Sequence, residues 1–386
     1  MSTSTPSDVK PAAKTDKAPT SGRRRAGVVG AVIGVAAAGV AAGIAVERLV
    51  VRRTRKSDAD PYADEPFGRL PYDETTTVST ADGVELHVEI VEPVDGVAVE
   101  LGPPTTPTTP TLVFVHGFCL DQGTFHFQRQ ALDRLGEHRM VFFDQPGHGL
   151  SGTLSDGGEY ELPALGEALY DVIKATVPTG PLVLIGHSMG GMAIMAFAEQ
   201  HPEMFVDRVV GTVLIATSGG QIDGQGGFYG LPAIINRTSG PLLGLLTGAA
   251  RITGPMIDKA RQAGTDLAWL LTRRYGFGGE KPSPALVSYV EQMNSRTTTE
   301  TVARYLRTIN SHARYPALRA LNRVPVLVVC GDCDMITPQA HSEEICRLLP
   351  HAKLVIIPES GHVTMLEHAP EVNAALIDFL DALEQK

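Results

Sequence analysis

The chain has 386 residues, 43% of them hydrophobic and 20% charged, which is ordinary for a globular enzyme with a large core. Charge is unevenly spread: residues 1–56 hold 11 Lys/Arg against three acids, a balance of +8, whereas residues 57–386 carry −18. A body that acidic repels phosphate backbones, which argues against nucleic acid as a partner.

Residues 1–22 are rich in Ser, Thr, Pro and Lys and have little to bury, so a disordered tail is expected. Residues 23–56 follow, with arginines at both ends of the uncharged run Ala26–Val46. As a helix rising about 1.5 Å per residue, that run spans roughly 31 Å, the thickness of a bilayer core. The expectation is a single-pass anchor touching the membrane through residues 26–46. Gly30/Gly34 and Gly39/Gly43 are small-residue pairs that permit helix–helix pairing in lipid. The cluster Arg48, Arg52, Arg53, Arg55 and Lys56 outweighs Arg23–Arg25, which leans the body toward the cytoplasm. A signal segment cleaved after Gly43-Ile44-Ala45, or a soluble Ala/Gly-rich helix, are the alternatives.

Residues 57–70 read as a polar linker. Thr75–Pro93 alternates polar and apolar side chains around Asp82-Gly83, which predicts a β-hairpin. Gly102–Pro110 is a low-complexity loop. Buried strands are then predicted at Thr111–Val115, Met140–Phe143, Leu182–Ile185, Val209–Ile215, Val324–Val329 and Leu354–Ile357. Most are separated by helical stretches, at Thr124–Leu135, Ala164–Val177, Met189–Gln200, Pro338–Leu349 and Glu367–Leu383. With the hairpin this makes an α/β fold: a mostly parallel eight-stranded sheet with helices on both faces. About 100 residues without a strand-like run break the rhythm after Ile215. They carry helical stretches near Pro241–Ile252, Met256–Tyr275, Pro284–Arg296 and Thr299–Ala313. A gap that long is a module of its own, so a helical cap is expected over 218–321, splitting the core into 71–217 and 322–386. Its apolar residues, among them Phe228, Tyr229, Leu231, Leu242, Trp269 and Leu270, are expected to form mostly the cap's own core.

Within "LVLIGHSMGG", Ser188 stands where the strand must turn sharply into the helix starting at Met189. Gly186 and Gly190 leave room for so tight a turn, and the turn lifts the hydroxyl above the sheet. It also aims the Met189 N–H at whatever the hydroxyl attacks, with a helix N-terminus behind it. A serine nucleophile needs a base, and the base an orienting acid, at the ends of later strands. Asp334 and Asp332 follow the strand ending at Val329; Asp334 is preferred because Asp332 falls in the Gly turn and Thr337-Pro338 opens the next helix. His362 follows the last strand on a Ser-Gly turn and is the expected base, ahead of His341, His351 and His368. In "VFVHGFCLD", Gly117 lets the chain bend and the Phe118 N–H is the expected second oxyanion donor. His116 reads as a packing and hydrogen-bonding residue and Cys119 as a small filler. Cys330 and Cys333 form a C-x-x-C, but four cysteines without another redox feature read as ordinary thiols. No His/Cys cluster has metal-ligand spacing, and no metal or organic cofactor is expected.

These motifs together resemble the alpha/beta-hydrolase superfamily over roughly 71–386. They are "HGF" at 116–118, "FDQPGHGLS" at 143–151, "GHSMGG" at 186–191, "GDCDMITP" at 331–338 and "SGHVTMLEHAPE" at 360–371. The resemblance implies a cap after the sixth strand and hydrolysis of a carboxylic ester through an acyl-enzyme; the apolar residues of the cap and the expected anchor near lipid favour a lipophilic ester as the substrate. The same triad in that superfamily also serves perhydrolases, carbon–carbon bond hydrolases and slow-turnover ligand receptors, which stay open. Haloalkane dehalogenases and epoxide hydrolases carry Asp at the elbow, and Ser188 argues against both. Pro146 stands where the family commonly has Arg, so that arginine's role has no bearer here; Asp144 is expected to fix its loop.

Overall fold

Strands β1 (Glu74–Ser79) and β2 (Glu85–Val91) form the expected antiparallel hairpin, with Glu74 opposite Ile90 and Ser79 opposite Glu85. Gly83 supplies the left-handed turn residue, at φ +77°, and its N–H donates to Thr80 O. Leu86, Val88 and Ile90 point inward while Glu85, His87 and Glu89 face outward, as a half-covered strand requires. The remaining strands are β3 (Thr111–Val115), β4 (Met140–Phe143), β5 (Leu182–His187), β6 (Val209–Ile215), β7 (Val326–Gly331) and β8 (Lys353–Ile357). Strands β3 to β8 run parallel, and the sheet order is β1-β2-β4-β3-β5-β6-β7-β8. The central strands β3, β4, β5 and β7 are buried throughout, which is why they read as unbroken apolar runs.

The computed structural model describes residues 60–94, 109–154, 160–220 and 265–385. Its longer helices are α1 (His126–Leu135), α2 (Leu162–Thr176), α3 (Met189–Gln200), α4 (Thr265–Gly276), α5 (Pro284–Arg296), α6 (Thr299–Asn310), α7 (Gln339–Leu348) and α8 (Ala369–Glu384). Helix α2 packs on α3 and α1 on α8, around the sheet. Helix α3 buries every residue from Met189 to Ala198. That explains its continuous apolar and small-residue sequence.

Helices α4, α5 and α6 lie between β6 and β7, where helical stretches were expected. Ser283 caps α5 by accepting the Leu286 N–H, and Thr298 caps α6 by accepting the Thr301 N–H. Trp269 is fully buried and donates its indole N–H to Ser288 Oγ, a core residue of the α4–α5 pair. The expected helix Pro241–Ile252 and the apolar residues Phe228, Tyr229, Leu231 and Leu242 lie outside the described residues.

The stretch read as a polar linker packs closely from Asp60 onward. The Phe67 ring stacks on Tyr289 of α5 at 4.5 Å and meets Phe127 of α1 at 5.9 Å. Glu65 accepts from His126 and Gln130, and Asp60 accepts the Ala285 N–H.

The expected membrane anchor requires correction. Among the described residues no helix is long and apolar enough to cross a membrane. The run Ala26–Val46, with its pairs Gly30/Gly34 and Gly39/Gly43, lies outside the described residues. The physical weakness of the expectation is composition: 13 of those 21 residues are Ala or Gly, so absence of charge was read as apolar strength. The single-pass localisation, the cytoplasmic placement of the body and helix pairing in lipid fall with it.

Candidate active site

The chain leaves β5 at His187 and enters α3 at Met189, so one residue, Ser188, makes the whole turn. It does so at φ 52° and ψ −117°, a conformation that costs a non-glycine residue about 1–3 kcal/mol. Neighbouring strands hold it there. The Ser188 N–H donates to Ile215 O at 2.9 Å, and Thr217 Oγ1 donates to Ser188 O at 2.6 Å. The flanking glycines leave no alternative residue. A Cβ on Gly190 would sit 1.9 Å from Val115 O, and one on Gly186 would sit 2.7 Å from Gly191 N. On Gly117 it would meet His187 Nδ1 at 2.6 Å and Ser188 Cβ at 3.2 Å.

Asp334 follows β7 and is 5% exposed. Its Oδ1 accepts the Ile336 and Thr337 N–H groups at 2.7 and 2.9 Å. Its Oδ2 lies 2.9 Å from His362 Nδ1. An ionised carboxylate only accepts, so Nδ1 carries the proton and Nε2 is left as an acceptor. That Nε2 lies 2.9 Å from Ser188 Oγ. The structure thus brings Ser188, His362 and Asp334 into one hydrogen-bonded chain at the carboxyl ends of β5, β7 and β8. The competing side chains stand elsewhere. Asp332 and His351 are exposed, His341 bonds Ser218 Oγ, and His368 bonds Glu359 O.

Other residues support this chain that the sequence did not single out. Thr337 Oγ1 lies between Asp334 Oδ2 at 2.8 Å, Ala216 O at 2.9 Å and His362 Nδ1 at 3.3 Å. His187 Nε2–H donates to His362 O at 3.0 Å, tying the elbow to the loop that carries the imidazole. Burial, with His362 beside it, holds His187 well below the ordinary histidine range, so it is neutral. The Glu367 carboxylate accepts N–H groups from Gly278 at 3.0 Å, Gly279 at 2.8 Å and Gly361 at 2.7 Å. The only signal for Glu367 was its place in the motif after His362; two of its three donors, Gly278 and Gly279, lie some 90 residues away.

On the other side of the hydroxyl stands the loop after β3. His116 is fully buried; its Nε2 accepts the Gln145 N–H and its Nδ1–H donates to Gly117 O, both at 2.8 Å. Burial, and after it His148, brings its pKa down to about 3, so it is neutral. In a trans peptide N–H and C=O point opposite ways. With the Gly117 carbonyl fixed on His116, the Phe118 N–H points away from His116. Met189 opens α3, where the first N–H groups have no partner within the helix. Cys119 follows at φ 59°. Asp144 accepts the Gln122 and Leu150 N–H groups and so holds its loop; burial and the nearby Asp121 raise it to about 7. Cys330 is buried and Cys333 exposed, and both are free thiols. Among the described residues no His/Cys/Asp/Glu group is placed to hold a metal ion.

A model of the alpha/beta hydrolase family matches residues 112–375. Among known proteins, the chain is 28% identical to the dihydrolipoyllysine-residue acetyltransferase component of the acetoin cleaving system of Pseudomonas putida, over 70% of this chain and 63% of that one. It spans less than two thirds of that relative's length. It is 25% identical to the sn-1-specific diacylglycerol lipase ABHD11 of Mus musculus, over 71% of this chain and 81% of that one. Among solved structures, a thermophilic esterase from Thermogutta terrifontis superposes with a TM-score of 0.60 at 25% identity, covering 81% of this chain and 99% of the esterase.

Proposed function

The chain belongs to the alpha/beta hydrolase family and is a hydrolase; on that premise we propose that Ser188, His362 and Asp334 act as a triad on a carboxylic ester. The observation that carries the proposal is the pair of 2.9 Å contacts of one imidazole, to Ser188 Oγ and to Asp334 Oδ2. His362 Nε2 takes the Ser188 proton as Oγ bonds to the ester carbonyl carbon. Asp334 stabilises the imidazolium that forms. The negative oxygen is held by the Phe118 and Met189 N–H groups. The carbon–oxygen bond to the alcohol then breaks, and His362 gives its proton to that oxygen. Water, deprotonated by the same imidazole, attacks the acyl carbon and releases the acid and Ser188.

The substrate we propose is an uncharged, lipophilic ester. Phe118, on the loop after β3, is apolar, and the buried His116, His148 and His187 are neutral, so none of them attracts an anionic acid. The lipase and esterase likenesses point the same way. The cap belongs to the same proposal. Helix α6 touches the loop of Phe118, and the segment after α4 is pinned to the loop of His362, so these helices rim the serine.

The test is turnover of a p-nitrophenyl ester series from acetate to decanoate by the wild type and Ser188→Ala. Wild-type turnover rising toward medium chains, lost in Ser188→Ala, supports the proposal. Turnover retained by Ser188→Ala overturns the triad, and a preference for acetate overturns the lipophilic substrate.

A further inference from the structure

Given the reading above, in which the Phe118 N–H holds the oxyanion, we propose that Tyr305 is a positioning residue for that N–H. It acts through an aromatic clamp and touches no reacting atom. Tyr305 lies on α6 and is fully buried. Its ring centroid stands 6.1 Å from Phe118 and 5.3 Å from His148, and the Phe118 and His148 rings are themselves 6.1 Å apart. Edge-on and tilted geometries at these distances are attractive ring contacts. The Phe118 side chain is therefore held by two rings while its backbone serves the site.

Pro146 locks the clamp. Its carbonyl accepts the Tyr305 hydroxyl and the His148 Nδ1–H, both at 3.0 Å, so both lone pairs are used. This is the residue at which the loop departs from the common family pattern. Here its backbone oxygen ties a core loop to α6, one of the helices between β6 and β7. The contact is close: a Cβ on Gly147, which sits at φ +77°, would meet Thr301 of α6 at 2.9 Å.

The clamp matters because the Gly117–Phe118 peptide is otherwise easy to turn. Gly117 lacks the side chain that would restrict it. Rotating that peptide would exchange the N–H for a carbonyl oxygen and set two negative oxygens against each other in the transition state. Two anchors oppose the rotation: the hydrogen bonds on the Gly117 carbonyl, from His116 Nδ1–H at 2.8 Å and the Leu120 N–H at 3.3 Å, and the Phe118 ring between His148 and Tyr305. The second depends on α6, so the placement of that helix sets the aim of a transition-state donor.

The experiment compares Tyr305→Phe, Tyr305→Leu, Phe118→Leu and the double variant Phe118→Leu/Tyr305→Leu. For each, kcat and KM are measured on p-nitrophenyl butyrate together with inhibition by butylboronic acid, which adds to the serine as a tetrahedral mimic. Phe118→Leu keeps the backbone N–H. Expected are a loss of about tenfold in kcat for either Leu variant, KM within about twofold, and a matching weakening of the boronate. The double variant should be little worse than the poorer single one, because both remove one clamp. Tyr305→Phe, keeping the ring, should lose only about threefold. Unchanged kcat in Tyr305→Leu, multiplying losses in the double variant, or a raised KM with unchanged kcat would overturn the clamp. Should Tyr305→Leu not fold, Phe118→Leu and Tyr305→Phe decide the matter alone. Ser188→Ala run alongside separates the cases: turnover surviving there defeats the triad itself, whereas its loss beside an unaffected Tyr305→Leu defeats only the clamp.

Discussion

Thr337 Oγ1 lies 2.8 Å from Asp334 Oδ2, the oxygen that also faces His362. The hydroxyl's one proton is shared between that oxygen and Ala216 O at 2.9 Å, so Thr337 ties the carboxylate to the end of β6; a hydrogen bond to a carboxylate is worth about 1.5–3 kcal/mol. Thr337→Val keeps the shape and removes the donor. Steady-state kinetics should show kcat reduced by about tenfold with KM nearly unchanged, and Thr337→Ser should recover most of the loss. A Thr337→Val enzyme as fast as wild type would remove the hydroxyl from the account.

Gly190 has the tightest surroundings of the site glycines, with Val115 O 1.9 Å from where a Cβ would stand. That oxygen belongs to a central strand and cannot move aside cheaply. Gly190→Ala should lower the unfolding free energy by about 3 kcal/mol or more, read by urea denaturation. Gly83→Ala, which meets nothing within 4 Å, should cost only the strain of its φ of +77°, about 1 kcal/mol.

Glu367 gathers three backbone N–H groups, two from the distant Gly278–Gly279 segment and one from Gly361 in the loop of His362. Glu367→Gln replaces one accepting oxygen by a donor that faces those N–H groups. Thermal unfolding should show a loss of about 2 kcal/mol, and kcat should fall because the loop of His362 loosens. Unchanged stability would mean that the carboxylate is dispensable there.

Stability should also depend on pH in a defined direction. Burial first of all lowers His116 to about 3, His148 and His312 to about 4, and His187 well below the ordinary range. In the unfolded chain these groups titrate near about 6.5. As pH falls below that value the unfolded state binds protons that the native state refuses, so stability declines from about pH 6.5 toward about pH 4. Asp144, raised to about 7, and Asp121, also raised, act in the opposite sense over the same window. His126 and His341, also lowered chiefly by burial, add to the four, whereas His87, raised by its hydrogen bond to Glu89, sides with the carboxyls; six lowered histidines outnumber these three groups, so unfolding takes up protons on balance and stability falls on acidification. Urea midpoints at pH 7.5, 6.5 and 5.5 check this; a midpoint that rises on acidification contradicts it.

Much of the fold was legible because its signals are local. Asp82-Gly83 marks the hairpin turn by backbone chemistry, and strands covered on both faces must be apolar throughout. Strand ends were less legible. The strand expected at Val324–Val329 runs from Val326 to Gly331, because pairing of Gly331 with Ile357 extends it through a residue that reads as a turn. The site residues stood out where one position dictates the chemistry, as at Ser188 between Gly186 and Gly190. Thr337, Glu367 and Tyr305 did not, because each is tied to a partner 25 to 159 residues away that the sequence does not place beside it. Phe67 was hidden inside a stretch whose overall polarity read as a linker. The uncharged run Ala26–Val46 misled in the opposite way.

The most direct test of the central claim is labelling of the full chain with a fluorophosphonate probe, followed by peptide mapping. The account predicts one phosphonylated residue, Ser188, with labelling abolished in Ser188→Ala and slowed by orders of magnitude in His362→Ala. Failure of the folded wild-type protein to label, or mapping of the adduct to another side chain, would contradict it.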